Sequence, residues 1–242
     1  MEKKILGIVG ARSGSKGLKN KNIKLLGQKP LIGWILKSAS NSKYINRIIV
    51  STDSKKYAKI ANRYNAETPF LRPKVISKSH SDEIEFIKHA LDHLKKKENY
   101  VPDIVVRMLA TVPFQKTKDI DKLIKLIVKK KYDSAAIVSK AKQHPRKSLK
   151  IIGVKNKYLV SYISNRGTDV GKKLNRQNHK KKQEAYFRSN VIACKTNVIR
   201  KYNSLTSNKV GYIIIPNKKF VDIDDIDDFE YSNYIYKKKI YR

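Results

Sequence analysis

Two short stretches of this sequence carry side chains whose types and spacing could do chemistry. The first is Ala11-Arg12-Ser13-Gly14-Ser15-Lys16-Gly17, with Lys21-Asn22 close behind. Glycines let a backbone turn sharply and come close to a phosphate. Arg12, Lys16 and Lys21 can neutralise triphosphate charge, and Ser15 can donate to a phosphate oxygen. The spacing is neither G-x-G-x-x-G nor G-x-x-x-x-G-K-[ST], which argues against a dinucleotide-binding fold and a P-loop ATPase. The second stretch holds Asp222 and Asp224. Alternation along an extended chain puts their side chains on one face. Two carboxylates together suit magnesium, a hard cation that takes oxygen ligands and keeps waters. Such an ion can orient an attacking hydroxyl and lower its pKa. Asp225 points the other way and reads as the cap of a final helix. Residue types alone leave two alternatives open: a solvent loop that needs glycine to turn, and plain solvent-facing acids at a helix start.

These groups work only if a fold brings them together. Ile5 to Val9 reads as a buried strand, and the basic loop follows it directly. Pro30 opens a helix reaching about Ala39, since proline in a first turn costs no hydrogen bond. Arg47 to Val50 is the next strand, with Ser51-Thr52-Asp53 as its exit and the cap of a helix ending near Tyr64. Ile84, Ile87 and Leu91 give Asp82 to Lys96 an apolar helical stripe. Asp103 to Leu109 is a strand, Thr117 to Lys129 a helix, and Ser134 to Val138 a strand. This alternation predicts an α/β fold: a mostly parallel sheet with helices on both faces. Ligands bind at the carboxyl edge of such sheets, where the loop after the first strand lies.

Residues 140–188 break the pattern. They are polar and irregular, with a hairpin through Leu149–Val154 and Tyr158–Tyr162, and read as an excursion from one domain spanning 1–242. The sheet resumes at Asn190 to Cys194 and Gly211 to Ile215. A short strand over Lys218 to Ile223 then carries the acidic pair.

The formal charge of +35 invites a nucleic-acid reading. The excess is mostly lysine, spread along the chain and clustered near helix ends, where it complements the dipole. No zinc finger, RNP aromatic pair or GxxG clamp accompanies it, so no specific nucleic-acid partner is expected. No apolar run is long enough to span a membrane, and no signal peptide opens the chain, which points to the cytoplasm. A lone cysteine, Cys194, leaves no intrachain disulfide.

The first motif, extended through Leu18, Lys21-Asn22-Ile23 and Gly27-Gln28-Lys29-Pro30-Leu31, resembles the opening of the acylneuraminate cytidylyltransferases. That family includes the CMP-sialic, CMP-legionaminic and CMP-pseudaminic acid synthetases. Similarity continues through Ile48–Asp53, Leu71-Arg72-Pro73, Glu85–Leu91, Ala141–Pro145, Arg176-Gln177, Arg188–Asn190 and Val221–Asp224. The resemblance implies a Rossmann-like nucleotide-diphospho-sugar transferase fold. CMP from CTP would be joined to a nine-carbon 2-keto acidic sugar, with release of pyrophosphate. Arg12, Ser13, Gly14, Ser15, Lys16, Lys21, Asn22 and Thr111 would line the CTP site, with Lys21 beside the α-phosphate and Arg72 near cytosine. The segment Leu109 to Gln115 would pass over nucleotide and sugar. Arg176, Gln177, Tyr186, Arg188 and Asn190 would form the acidic-sugar pocket. Lys21, Asp222 and Asp224 would be the catalytic set, the two aspartates holding Mg2+. The excursion would help build a homodimer.

The chain departs from the family pattern where a sugar would sit. Leu109 replaces a polar residue, Val112 lacks a hydroxyl, Gln115 lacks an arginine charge, and Val191 stands where glycine is usual. These changes put the identity of the sugar in question. They also keep two alternatives in play, a transferase for octulosonic acid or another sugar and a catalytically inactive homologue.

Overall fold

The computed structural model describes residues 2–154, 156–166 and 184–241. The chain opens with β1 (Ile5–Gly10), a two-residue pair β2 (Leu25–Leu26) and β3 (Lys29–Pro30), and α1 (Leu31–Ser40). It continues through β4 (Arg47–Ser51), α2 (Lys55–Asn62), α3 (Glu83–Glu98), β5 (Ile104–Leu109), α4 (Thr117–Val128) and β6 (Ser134–Lys140). The excursion carries the antiparallel hairpin β7 (Leu149–Ile152) and β8 (Tyr158–Ser161). Then come β9 (Tyr186–Lys195), α5 (Thr196–Tyr202), β10 (Val210–Ile214) and α6 (Ile226–Lys237).

Every position of β1 is buried, as a strand covered on both faces requires. β1 pairs in parallel with β4 and β5, inside a six-stranded sheet ordered β10-β6-β9-β5-β1-β4. β10 is parallel to β6, while β9 runs antiparallel to both β5 and β6. The excursion explains that exception. A helical crossover would carry the chain back to the start of the sheet and yield a parallel strand. Here the chain leaves β6 at Lys140 and returns beside it, with Tyr186 paired to Lys140, so the next strand runs the opposite way.

Alternation in the strands divides the core. Val9, Val106, Met108 and Val191 face α1, α2 and α4, where Ile32, Leu36, Tyr57, Leu123 and Ile127 meet them. Leu6, Ile8, Val105 and Ile192 face α3 and α5 through Phe86, Ile87, Leu91 and Ile199. Each such side chain, fully buried, contributes about 1.5–3 kcal/mol. A third cluster packs α6 against the loop side through Leu18, Leu26, Phe114, Ile223 and Phe229. The expected α/β fold with helices on both faces is therefore present.

Three local expectations change. Ser54, not Asp53, caps α2, accepting from the Tyr57 N–H, because Asp53 is engaged elsewhere. Lys218–Ile223 is no ladder strand. It is a 3-10 turn at Asn217–Lys219 followed by extended chain, tied to its neighbour by the Ile223 N–H donating to the Thr111 carbonyl at 3.0 Å. α5 was not anticipated, being short and continuous with the end of β9. Among the described residues, no helix is long and apolar enough to cross a membrane.

Candidate active site

Gly10 ends β1 and Leu109 ends β5, and a cleft of about 530 Å³ opens over them. The glycine-rich loop forms one wall. It is stapled to the sheet by Asp53, whose two oxygens accept from the Ser13 N–H at 2.8 Å and the Ser13 hydroxyl at 2.9 Å. Further along, the Asn22 amide donates to the Arg12 carbonyl at 2.9 Å. Gly17 is required by close approach: a Cβ there would lie 2.5 Å from the Asp224 carbonyl oxygen. Gly14 has open space around it and no left-handed backbone, so its value is access rather than conformation.

That contact brings the loop to the acidic segment. Val221 and Ile223 are buried, and Asp222 and Asp224 turn from them into the cleft. The alternation expected of a strand thus survives in extended chain. The Lys21 ammonium sits 2.9 Å from Asp224 Oδ1, with the lysine side chain 13% exposed and the aspartate 78%. Asp222 is deeper. Its Oδ2 accepts from the Asn190 amide at 2.5 Å, and its Oδ1 is buried with no hydrogen-bond partner. Burial holds the Asp222 carboxyl above the usual carboxylate range, against the pull of the nearby Thr111 hydroxyl and of Lys21. Asp225 caps α6 in a reciprocal capping box with Asp228, as read from its position.

Arg72 closes the back of the cleft. It is buried, donates from Nε to Ser51 Oγ at 3.0 Å and from Nη2 to the Ser51 carbonyl at 2.5 Å, and lies 4.4 Å over the Phe86 ring. Burial lowers its pKa to about 10 while Asp53 resists, so it stays a cation at neutral pH.

Of the residues singled out in the sequence, the cleft gathers Arg12, Ser15, Lys16, Lys21, Asn22, Arg72, Thr111, Asn190, Asp222 and Asp224. Others fall elsewhere. Ser13 and Gly14 do not line it, and the Ser13 hydroxyl is spent on Asp53. Tyr186 and Arg188 are exposed at the projecting start of β9, outside the lining, with the Tyr186 hydroxyl donating to Glu184 at 2.7 Å. Arg176 and Gln177 lie outside the described residues. In the loop after β5, only Leu109 and Thr111 face the cleft. Val112, Phe114 and Gln115 are buried, because Phe114 packs edge-on to Trp34 and stacks on Tyr241, drawing the second half of the loop inward.

Sequence reading missed Glu83 and Phe86, which line the cleft, and Arg107, fully buried on β5. The signal for Arg107 was present: one charge inside the apolar run Ile104–Leu109. Cys194 is buried and its thiol is pushed up to about 12 by desolvation, which makes it a packing residue.

A basic loop after the first strand, a buried arginine and paired carboxylates thus meet at the carboxyl edge of the sheet, where open α/β folds bind their ligands. The chain belongs to the cytidylyltransferase family, whose model matches residues 6–241. It is 32% identical over 243 residues to an N-acylneuraminate cytidylyltransferase of Escherichia coli O18:K1:H7, covering 99% of this chain and 54% of that protein. The chain thus spans about half the length of that relative. It is 25% identical to a pseudaminic acid cytidylyltransferase of Campylobacter jejuni, over 97% of both chains. A CMP:2-keto-3-deoxy-manno-octonic acid synthetase solved with CTP superposes over 98% of this chain and 99% of its own, with a TM-score of 0.68 at 13% identity, which is a likeness of fold.

Proposed function

We propose that this chain transfers CMP from CTP to a nine-carbon 2-keto acidic sugar of the sialic, legionaminic or pseudaminic kind. The observation that carries the reading is the meeting of Lys21 with Asp224 in one cleft, beside a buried Asp222 oxygen that lacks a partner. The names of relatives matched over nearly all of this chain support the substrate class. In the reaction, the anomeric hydroxyl of the sugar attacks the α-phosphorus of CTP, the bond to the bridging oxygen breaks, and pyrophosphate leaves. The chain's task is alignment and charge stabilisation. Lys21 and Arg12 meet phosphate charge from the loop, and Lys21 stabilises charge at the α-phosphate. Arg72, with donors only, suits the acceptor edge of cytosine.

The two aspartates fit magnesium. The unpartnered Asp222 oxygen and exposed Asp224 carboxylate offer oxygen ligands, and magnesium needs only one or two carboxylates beside phosphates and waters. Bound there, the ion would supply positive charge to the phosphates and lower the pKa of the attacking hydroxyl. Asp222 and Asp224 would hold it, and Lys21 would remain the protein's own cation at the reacting phosphate.

The excursion, residues 140–188, supports a homodimer reading within one domain spanning the chain. Ile151 and Leu159, paired across the hairpin, and Tyr212 and Ile214, on one face of β10, are exposed. A second copy is the occupant we propose for these two apolar pairs. Light scattering should return twice the 27.9 kDa chain mass, and a monomer at micromolar concentration would remove this part of the reading. The function itself is tested by pyrophosphate release with each nucleoside triphosphate paired with neuraminic, legionaminic, pseudaminic and octulosonic acids. CTP with one of the first three is the expected productive pair. Equal release from all four nucleotides, or turnover with octulosonic acid alone, would reject it.

A further inference from the structure

Arg107 is the largest of the fully buried side chains, 0% exposed, in a strand otherwise composed of isoleucine, valine, methionine and leucine. Burying a cation costs several kcal/mol unless it is paired. Its fork is paired only in part: Nη2 lies 3.1 Å from Glu83 Oε2 as an ion pair without hydrogen-bond geometry, Nη1 donates to Asn190 Oδ1 at 3.4 Å, and Nε has no hydrogen-bond partner. Glu83 opens α3 and lines the cleft, as does Asn190. The sheet creates this meeting. Arg107 is in register with Ile192 of β9, so Asn190, two residues on, shares its face as a diagonal neighbour.

The other end of Asn190 donates to Asp222 Oδ2 at 2.5 Å and to Thr111 Oγ1 at 3.4 Å. An amide has an acceptor side and a donor side, a guanidinium has only donors, and an ionised carboxylate only accepts. One orientation satisfies both ends: carbonyl to Arg107, NH2 to Asp222. We propose that Arg107 is a positioning residue, fixing the direction of the Asn190 amide so that Asn190 holds Asp222 by one oxygen and leaves the other free for a divalent cation. The inference rests on the reading of Asp222 as a cation ligand. Without the arginine, the amide is free to turn over and set its own oxygen against the carboxylate, displacing it.

The test reads cation binding directly. Free Mn2+ is followed by electron paramagnetic resonance while it is titrated into the protein with CTP present. Parent, Asp222→Asn, Asn190→Ala, Arg107→Met and the Arg107→Met/Asn190→Ala double variant are compared, with CTP affinity measured separately without metal. Removing groups that orient a metal ligand costs roughly tenfold or more in affinity. Arg107→Met and Asn190→Ala should each show about that loss and fail to multiply in the double variant, and Arg107→Met, outside the cleft lining, should leave metal-free CTP affinity unchanged. A folded Arg107→Met with parental Mn2+ affinity, or losses that multiply, would overturn the proposal. If Arg107→Met does not fold, Arg107→Lys replaces it. Lysine still donates to Asn190, so it should bind Mn2+ closer to the parent than Asn190→Ala does. Loss equal to or beyond that of Asn190→Ala overturns the proposal. Should Asp222→Asn keep parental affinity, the ligand reading itself fails. Should it lose affinity while Arg107→Met does not, only the role of Arg107 fails.

Discussion

The two halves of the cleft are built differently. On the loop side, the loop backbone and several of the polar groups around it are tied to the fold. Asp53 clamps Ser13, Asn22 grips the Arg12 carbonyl, Arg72 is anchored on Ser51, and Asp224 aims Lys21. On the β9 side, Leu109 presents an apolar surface, while Tyr186 and Arg188 stand exposed beyond the lining. The contrast teaches where rigidity is needed. Charge that must be ready for a reacting phosphate gains from being pre-oriented. A surface that chooses among sugars differs by side chains at strand ends, where changes do not disturb the core.

The sharpest way to break this comparison is to remove charge from the rigid half. Asp224→Asn keeps shape and loses one charge, and should cut turnover by roughly a hundredfold or more, about 3 kcal/mol of transition-state stabilisation, while leaving the protein folded. Lys21→Ala should behave likewise. Asp225→Asn is the contrast: asparagine keeps the oxygen that caps α6 and loses only a helix-end charge, which should cost about 0.3–1 kcal/mol of stability. A magnesium titration of pyrophosphate release beside thermal melts checks all three. Near-parental turnover for Asp224→Asn, with loss confined to Asp225→Asn, would move the site by one residue.

Gly17→Ala probes the seam between loop and acidic segment. Its methyl group would press on the Asp224 carbonyl at 2.5 Å, and overpacking of this kind costs about 1–3 kcal/mol. Turnover should fall by roughly tenfold as the loop and Asp224 are pushed apart. Gly14→Ala meets nothing within 4 Å and should lose less. Equal losses would show that the seam does not matter. The gentlest change sharpens the other half. Leu109→Gln places an amide in the cleft without touching the loop, and should shift the sugar KM by a few-fold, about 1 kcal/mol, while the CTP KM stays put. A change in the CTP KM instead would mean that the two halves are not separate.

Much of this was legible in the residues. The buried run of Ile5–Gly10, the basic loop behind it, the strand–helix alternation and the capping role of Asp225 follow from local patterns: burial, glycine, periodicity and cap chemistry. The Asp222–Asp224 pairing also rests on local alternation, which holds in extended chain even though no ladder forms there. Partners distant in sequence were decided only by the tertiary structure. Asp53 reads as a helix cap until the sheet sets it beside Ser13, forty positions away, and the role passes to Ser54. The direction of β9 depends on where the excursion returns, not on its own residues. The segment Leu109 to Gln115 reads as one loop over the ligands until Phe114 finds Trp34 and Tyr241 and Val112, Phe114 and Gln115 turn out buried. Arg107 alone is a misplaced charge in an apolar strand. It becomes intelligible only when strand register sets it against Glu83 and Asn190, because a buried charge is defined by its partners and long-range packing alone supplies them.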